Sequence, residues 1–209
     1  MSSPQMLQRY DDHTRMNHWV LALLFFAAAL SGLAFFHPSL FFFTTFFGGG
    51  EWTRILHPYL GLVMALSFLG LFVRLHRDNK MNPADRAWLD KAGEMLQGDK
   101  SNMPPVGKYN AGQKIVFWLM TVSLATLVLT GILFWHAWFP DFPIGARRLG
   151  VLLHALSAVV LVLTVIVHIY AAIWVKGTLR AMTRGSVSHA WAKAHHPLWH
   201  REVTGQDGH

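Results

Sequence analysis

Cysteine is absent from this chain of 209 residues. Its absence excludes disulfides, thiolate chemistry and protein-ligated iron–sulfur clusters within the chain. It also excludes the Cys-Xaa-Xaa-Cys-His signature of covalently attached haem. Charge is scarce: 14% of residues are Asp, Glu, Lys or Arg, against about 25% in soluble domains. The sequence carries no glycine-rich fingerprint for a nicotinamide or a flavin, and no internal repeat of a convincing period. A nucleotide-dependent soluble enzyme is therefore a poor match to this composition.

What is abundant is apolar sequence, 53% of the chain, and it is gathered in blocks. Residues 19–36, 58–73, 115–135 and 149–175 are each nearly free of charge. At 1.5 Å per residue, about 20 residues cross a hydrocarbon core of about 30 Å. Three blocks meet that length or come close to it, and the second does once residues 55–57 are included. None shows the polar stripe that a helix of a soluble bundle would need. The fold class is all-α, an integral membrane four-helix bundle. Helices are predicted over about 17–36, 55–75, 113–135 and 149–175, in a single domain spanning 1–209. The first block is read as a retained helix rather than a secretory signal. Asp11 and Asp12 occupy what would be the positive n-region, and the apolar run exceeds a usual h-region.

Loop charge sets the orientation. Of the 18 lysines and arginines, the N-terminal tail holds Arg9 and Arg15. The 76–112 connection and its flanks hold Arg74, Arg77, Lys80, Arg86, Lys91, Lys100, Lys108 and Lys114. The tail 176–209 holds Lys176, Arg180, Arg184, Lys193 and Arg201. Only Arg54, Arg147 and Arg148 remain for the other two loops. The positive-inside rule then places both termini in the cytoplasm. The net charge of +7 is accounted for by a basic face against anionic lipid, with no need of nucleic acid. Trp19, Trp118 and Trp174 fall at the inner boundary and Trp52, Trp135 and Trp138 at the outer one, as interfacial belts require. Within the inner connection, residues 85–97 (DRAWLDKAGEMLQ) predict a short helix on the membrane surface. The outer loop 41–50 (FFFTTFFGGG) is expected to dip into the interface or to pack under a partner.

Thirteen histidines are present. Those at 13, 76, 189, 195, 196, 200 and 209 fall in inner loops or tails, and His37 and His136 fall at outer helix ends. That leaves His18, His57, His154 and His168 within spans, where an ionisable group is costly and faces the bundle interior. Fourteen steps of 100° fall about 40° short of four turns, so His154 and His168 share a face about 21 Å apart. That is too far for one metal ion. Topology places His18 and His168 at the inner level and His57 and His154 at the outer level. Two level-matched imidazole pairs suit two haem b groups, each with a six-coordinate low-spin iron fit for electron transfer. Ala22, Gly61, Ala158 and Ala172, each four residues after one of these histidines, would leave room for a flat macrocycle. Zinc is disfavoured because each pair lacks a third ligand. The competing reading is a transporter that uses these histidines for protons or metal. An electron carrier of this kind needs a lipid-soluble partner, and a quinone is the natural one. The stretch YNAGQK, 109–114, offers Asn110 as a helix cap, Gly112 for close approach and Gln113 as a hydrogen-bonding group for a quinone oxygen.

Several motifs resemble those of one family. They are RMNHW (15–19), RILHP (54–58), KYNAGQKIVFW (108–118), LLHALSA (152–158), HIYAAIWVKGTLRAM (168–182) and KAHHPLWHREV (193–203). Over almost the whole chain the sequence is similar to the gamma subunit of respiratory formate dehydrogenase, a di-haem cytochrome b. The histidine spacing alone would also fit hydrogenase and thiosulfate-reductase cytochromes. The resemblance implies axial ligation of two haem b irons by His18, His57, His154 and His168. It implies menaquinone or ubiquinone near the inner haem, close to His168 and contacted around Asn110, Gly112 and Gln113. It implies as partners an iron–sulfur beta subunit and a molybdenum or tungsten alpha subunit outside the cytoplasmic membrane. Formate oxidation would then occur on the alpha subunit, leaving this chain no catalytic residue of its own. Arg54, Arg147 and Arg148 could meet haem propionates or a partner, or simply be solvated. The loops 41–50 and 76–107 are where the sequence departs from the family.

Overall fold

A computed structural model describes residues 6–97, 103–135 and 141–205. Lys100, His136, Trp138 and His209, given places above, lie outside those residues. The element order is β1 (Met6–Gln8), α1 (Asp12–Phe36), a 3-10 helix (Pro38–Phe47), α2 (Gly50–Leu75), α3 (Pro83–Asp90) and α4 (Ala92–Leu96). Then come α5 (Ala111–Leu133), α6 (Ile144–Trp174), α7 (Thr178–Arg184), β2 (Ser186–Ser188), α8 (His189–His195) and α9 (Pro197–Thr204).

Helices α1, α2, α5 and α6 are long and apolar enough to cross a membrane, with mean hydropathies of 2.3, 1.8, 2.2 and 2.6 over their best 18-residue windows. Their polarity is inverted relative to a soluble bundle. Leu23, Leu66 and Leu129 are exposed, whereas Ser31, Ser123, Thr130 and Thr164 are buried. Water would not tolerate that much continuous apolar surface, and lipid requires it. α1, α2 and α6 begin at residues 12, 50 and 144 rather than at the expected 17, 55 and 149. The extra turns carry Asp12, Glu51, Arg147 and Arg148. Hydropathy marks hydrocarbon depth, while the backbone hydrogen-bond ladder continues into the headgroup layer. Asp11 caps α1, its carboxylate accepting from the Thr14 amide at 2.6 Å, and hydrogen bonds from the Thr14 side chain first and its amide second hold the Asp11 pKa below the ordinary value.

The chain divides into two compact units. One comprises Met16–Val73 and Leu119–His168. Its core gathers Ala28, Met64 and Leu124, packed by Leu21, Leu24, Phe25, Leu60 and Phe68. α1 and α2 are also joined by polar groups. Ser67 donates its hydroxyl to Asn17 Oδ1 at 2.7 Å, and Asn17 Nδ2 donates to the Ser67 carbonyl at 3.0 Å. Gly70 makes room for that amide, since a Cβ there would stand 2.8 Å from Asn17 Nδ2. Outside the spans, the expected aromatic loop is a 3-10 helix, closed by Gly48 at φ 84°, with Phe42 and Phe46 exposed and Thr44 buried.

The other unit comprises Met1–Arg15, Arg74–Trp118 and Ile169–His209. β1 and β2 pair antiparallel, with Leu7 opposite Val187, over a core of Ala181, Val187, Ala192 and Trp199. Arg9 is buried among aromatic rings, its guanidinium 4.8 Å from the Trp199 centroid. It donates to the Lys108 carbonyl. His196 is held neutral, its pKa pushed down to about 3 by burial first and by the neighbouring Arg9 charge second.

The short helix expected over 85–97 forms as two helices, α3 and α4, in which Arg86, Asp90 and Glu94 are exposed while Asp85 is not. Asn82 and Asp85 form a reciprocal capping box. Asp85 and Trp88 are buried, and Asp85 accepts from Lys114 Nζ at 2.8 Å. A composition of few apolar residues pointed to the surface, but the carboxylate enters the interior because Lys114 neutralises it there.

Candidate functional site

All four histidines singled out by the sequence belong to one compact unit. His18 stands on α1, His57 on α2, and His154 and His168 on α6. The structure brings His18 and His168 together, with ring centroids 6.2 Å apart. It brings His57 and His154 together at 6.3 Å. A metal held between two imidazoles takes bonds of about 2.0–2.1 Å, and with about 1.1 Å from each nitrogen to its ring centre the centroids fall roughly 6.3 Å apart. Both separations therefore fit an iron seated between the rings. Among the described residues no group of three or more His, Cys, Asp or Glu could hold a metal, so a closed tetrahedral zinc site has no donors.

Each ring of the His57–His154 pair rests in a seat built from a hydroxyl residue and the glycine after it. Ser31 Oγ lies 2.9 Å from His57 Nδ1, and a Cβ on Gly32 would stand 3.0 Å from His57 Cε1. Thr130 Oγ1 lies 2.8 Å from His154 Nδ1, and a Cβ on Gly131 would stand 3.5 Å from His154 Cε1. The hydroxyl protons are already committed. Ser31 donates to the Ala28 carbonyl at 3.0 Å, and Thr130 to the Thr126 carbonyl at 2.6 Å. Each oxygen can then accept from its histidine, and the His57 and His154 rings also hydrogen-bond the Ala28 and Leu127 carbonyls. A carbonyl can only accept, so the ring nitrogen that meets it carries the proton and the other keeps its lone pair. That is the tautomer a metal ligand needs. Phe134 packs against His154 with centroids 5.6 Å apart. Gly150 makes room for it, since a Cβ there would be 3.0 Å from the Phe134 ring.

The His18–His168 pair is built differently. His18 packs edge-on against Trp19 at 5.3 Å, and the residue before it is Asn17 of the α1–α2 clamp. Its Nδ1 is buried and has no hydrogen-bond partner among the described residues.

Of the small residues expected to flank the rings, Gly61 has open space around it, for a Cβ there would meet nothing within 4 Å. Residues 31, 32, 130 and 131 were not singled out from the sequence, although a signal exists. Ser-Gly at 31–32 and Thr-Gly at 130–131 each place the same kind of dipeptide inside an apolar span.

Asn110 and Gln113 belong to the other unit and form a reciprocal cap on α5. Asn110 Oδ1 accepts from the Gln113 amide at 2.9 Å, and Gln113 Oε1 accepts from the Asn110 amide at 3.0 Å. With both carbonyl oxygens engaged, their side-chain NH2 groups are the donors each can offer a ligand. Gly112 lies under Trp88, where a Cβ would stand 3.2 Å from Cη2. Its small size serves that packing directly.

Residues 9–185 match the family described as prokaryotic cytochrome b561. The chain is similar to the cytochrome b556(Fdn) subunit of the nitrate-inducible formate dehydrogenase of Escherichia coli K12, at 39% identity over 97% of this chain and 94% of that one. It is 41% identical to the cytochrome b556(fdo) subunit of formate dehydrogenase from the same organism, over 97% of this chain and 96% of the other. It is also 36% identical to the formate dehydrogenase cytochrome b556 subunit of Haemophilus influenzae, over 97% and 85% of the two chains.

Proposed function

Because the chain belongs to the prokaryotic cytochrome b561 family, alongside cytochrome b556 subunits of formate dehydrogenases, we propose that it is the membrane-anchor electron-transfer subunit of such an enzyme. It takes electrons from an iron–sulfur beta subunit on the periplasmic side and delivers them to menaquinone or ubiquinone at the cytoplasmic side. The observation that carries this reading is the pairing of His18 with His168 and of His57 with His154 at 6.2 and 6.3 Å.

His18 and His168 would hold an inner haem b, and His57 and His154 an outer one. Bound haem supplies reversible one-electron chemistry, while two imidazoles per iron leave no position for oxygen. The chain's own residues bind and orient. Ser31 and Thr130 meet the Nδ1 side of His57 and His154 and orient those two rings. Asn110 and Gln113 can donate N–H groups to a quinone oxygen, while Gly112 between them leaves room for the Trp88 ring. Formate oxidation belongs to a molybdenum or tungsten alpha subunit. The concentration of lysine and arginine in the inner connection and the two tails supports cytoplasmic termini in the bacterial inner membrane.

Purification in mild detergent tests the assembly. We expect an iron–sulfur subunit and a large molybdopterin- or tungstopterin-containing subunit to accompany this chain, together with formate-dependent quinone reduction. Recovery of a nickel–iron subunit instead would assign it to a hydrogenase.

A further inference from the structure

The two histidine pairs differ in what touches the ring nitrogen that faces away from the metal. In the outer pair both Nδ1 atoms meet a hydroxyl, Ser31 Oγ at 2.9 Å and Thr130 Oγ1 at 2.8 Å. In the inner pair His18 Nδ1 is buried and unpartnered among the described residues. Both hydroxyls are buried too, Ser31 at 0% and Thr130 at 6% exposure, so water does not compete for these bonds. Each oxygen is polarised further because its own proton is given to a carbonyl one turn back.

We propose that Ser31 and Thr130 are positioning residues that hold the outer haem at a lower reduction potential than the inner one. An acceptor on Nδ1–H draws that proton outward and leaves Nε2 a stronger electron donor. A stronger donor stabilises ferric over ferrous iron, and this lowers the potential. His18 receives no such acceptor, so the inner iron has at most one ligand strengthened in this way against two for the outer iron, and is the easier of the two to reduce. Electrons entering at the outer haem then run downhill toward the quinone side. Direction is thus built into two hydroxyl groups on α1 and α5 rather than into the ligands, which are all histidines. This inference rests on the reading that the two pairs hold haem.

The test is a potentiometric titration of the α band in the purified complex, with haem counted in the same samples. Wild type is expected to titrate as two components. Thr130→Val keeps the side-chain shape and removes the acceptor, and Ser31→Ala removes the other hydroxyl. Each should move only the lower component upward, by about tenfold in its reduction equilibrium, or about 59 mV for one electron. Thr130→Ser keeps the hydroxyl and should titrate like wild type. An unmoved lower component in Thr130→Val, or movement of the upper one, overturns the proposal. If Thr130→Val loses haem, Thr130→Ser decides. Two haems at wild-type potentials support the positioning role, and a shifted or absent lower component refutes it. A wild-type complex without haem would instead defeat the functional reading itself.

Discussion

Gly32 shows how much of the site depends on single atoms. A methyl group there would stand 3.0 Å from His57 Cε1, closer than packed carbons tolerate, and both helix backbones hold their positions. Gly32→Ala should therefore push the imidazole off Ser31 and lower the haem content toward one per chain in a pyridine haemochrome assay. Two haems in that variant would mean that the ring can yield without cost. The four histidines were legible in sequence because an imidazole inside an apolar span is rare, and loop charge alone assigns its depth. Ser31 and Thr130 were not, because hydroxyls in membrane helices commonly bond back to their own helix. These two do that as well as touching a ring on another helix. His196 gives a residue-scale prediction outside the membrane. Its pKa is about 3 in the folded protein against 6.5 ordinarily, so the unfolded state binds its proton first. The tail unit should lose stability as pH falls from about 6.5 toward 3, and keep it above 6.5. Proteolysis of the tail against pH, with His196→Gln flatter than wild type, would show this; identical profiles would speak against it.

At the scale of elements, the four spans were readable from composition, but their ends were not. Apolar runs report where lipid is, whereas α1, α2 and α6 continue for turns that carry charge. The burial of Asp85 in α3 escaped for a related reason, since its partner Lys114 is 29 residues away in sequence. Breaking that buried pair by Lys114→Met should cost about 3–5 kcal/mol, because Asp85 would be left charged and alone. The double variant Asp85→Leu with Lys114→Met should recover much of that loss in a thermal melt. Equal instability of the single and double variants would show that the pair matters for some other reason. The cap on α5 separates two roles of Gln113. Gln113→Glu keeps the oxygen that accepts from the Asn110 amide but loses the NH2, so the helix should persist while quinone reduction weakens. Gln113→Leu should impair both. Steady-state kinetics against quinone concentration reads the difference, and unchanged apparent affinity in Gln113→Glu would remove Gln113 from the quinone site.

For the molecule as a whole, the inverted polarity of the spans and the two histidine levels belong to one design. Lipid-facing leucines leave serine and threonine for the interior, beside the four half-buried or exposed histidine rings that face each other in pairs. The sequence features that predicted this were global ones, namely block length, loop charge and histidine depth. The central claim is that each of the four histidines serves one of two haems. The most direct test counts haem per chain, by dithionite-reduced absorption and pyridine haemochrome, in wild type and in the four single His-to-Ala variants. Wild type should hold two haems with a b-type α band. His57→Ala and His154→Ala should each lose the outer haem, while His18→Ala and His168→Ala should lose the inner one and quinone reduction with it. Two haems remaining in any of the four variants, or no b-type band in wild type, would contradict the account.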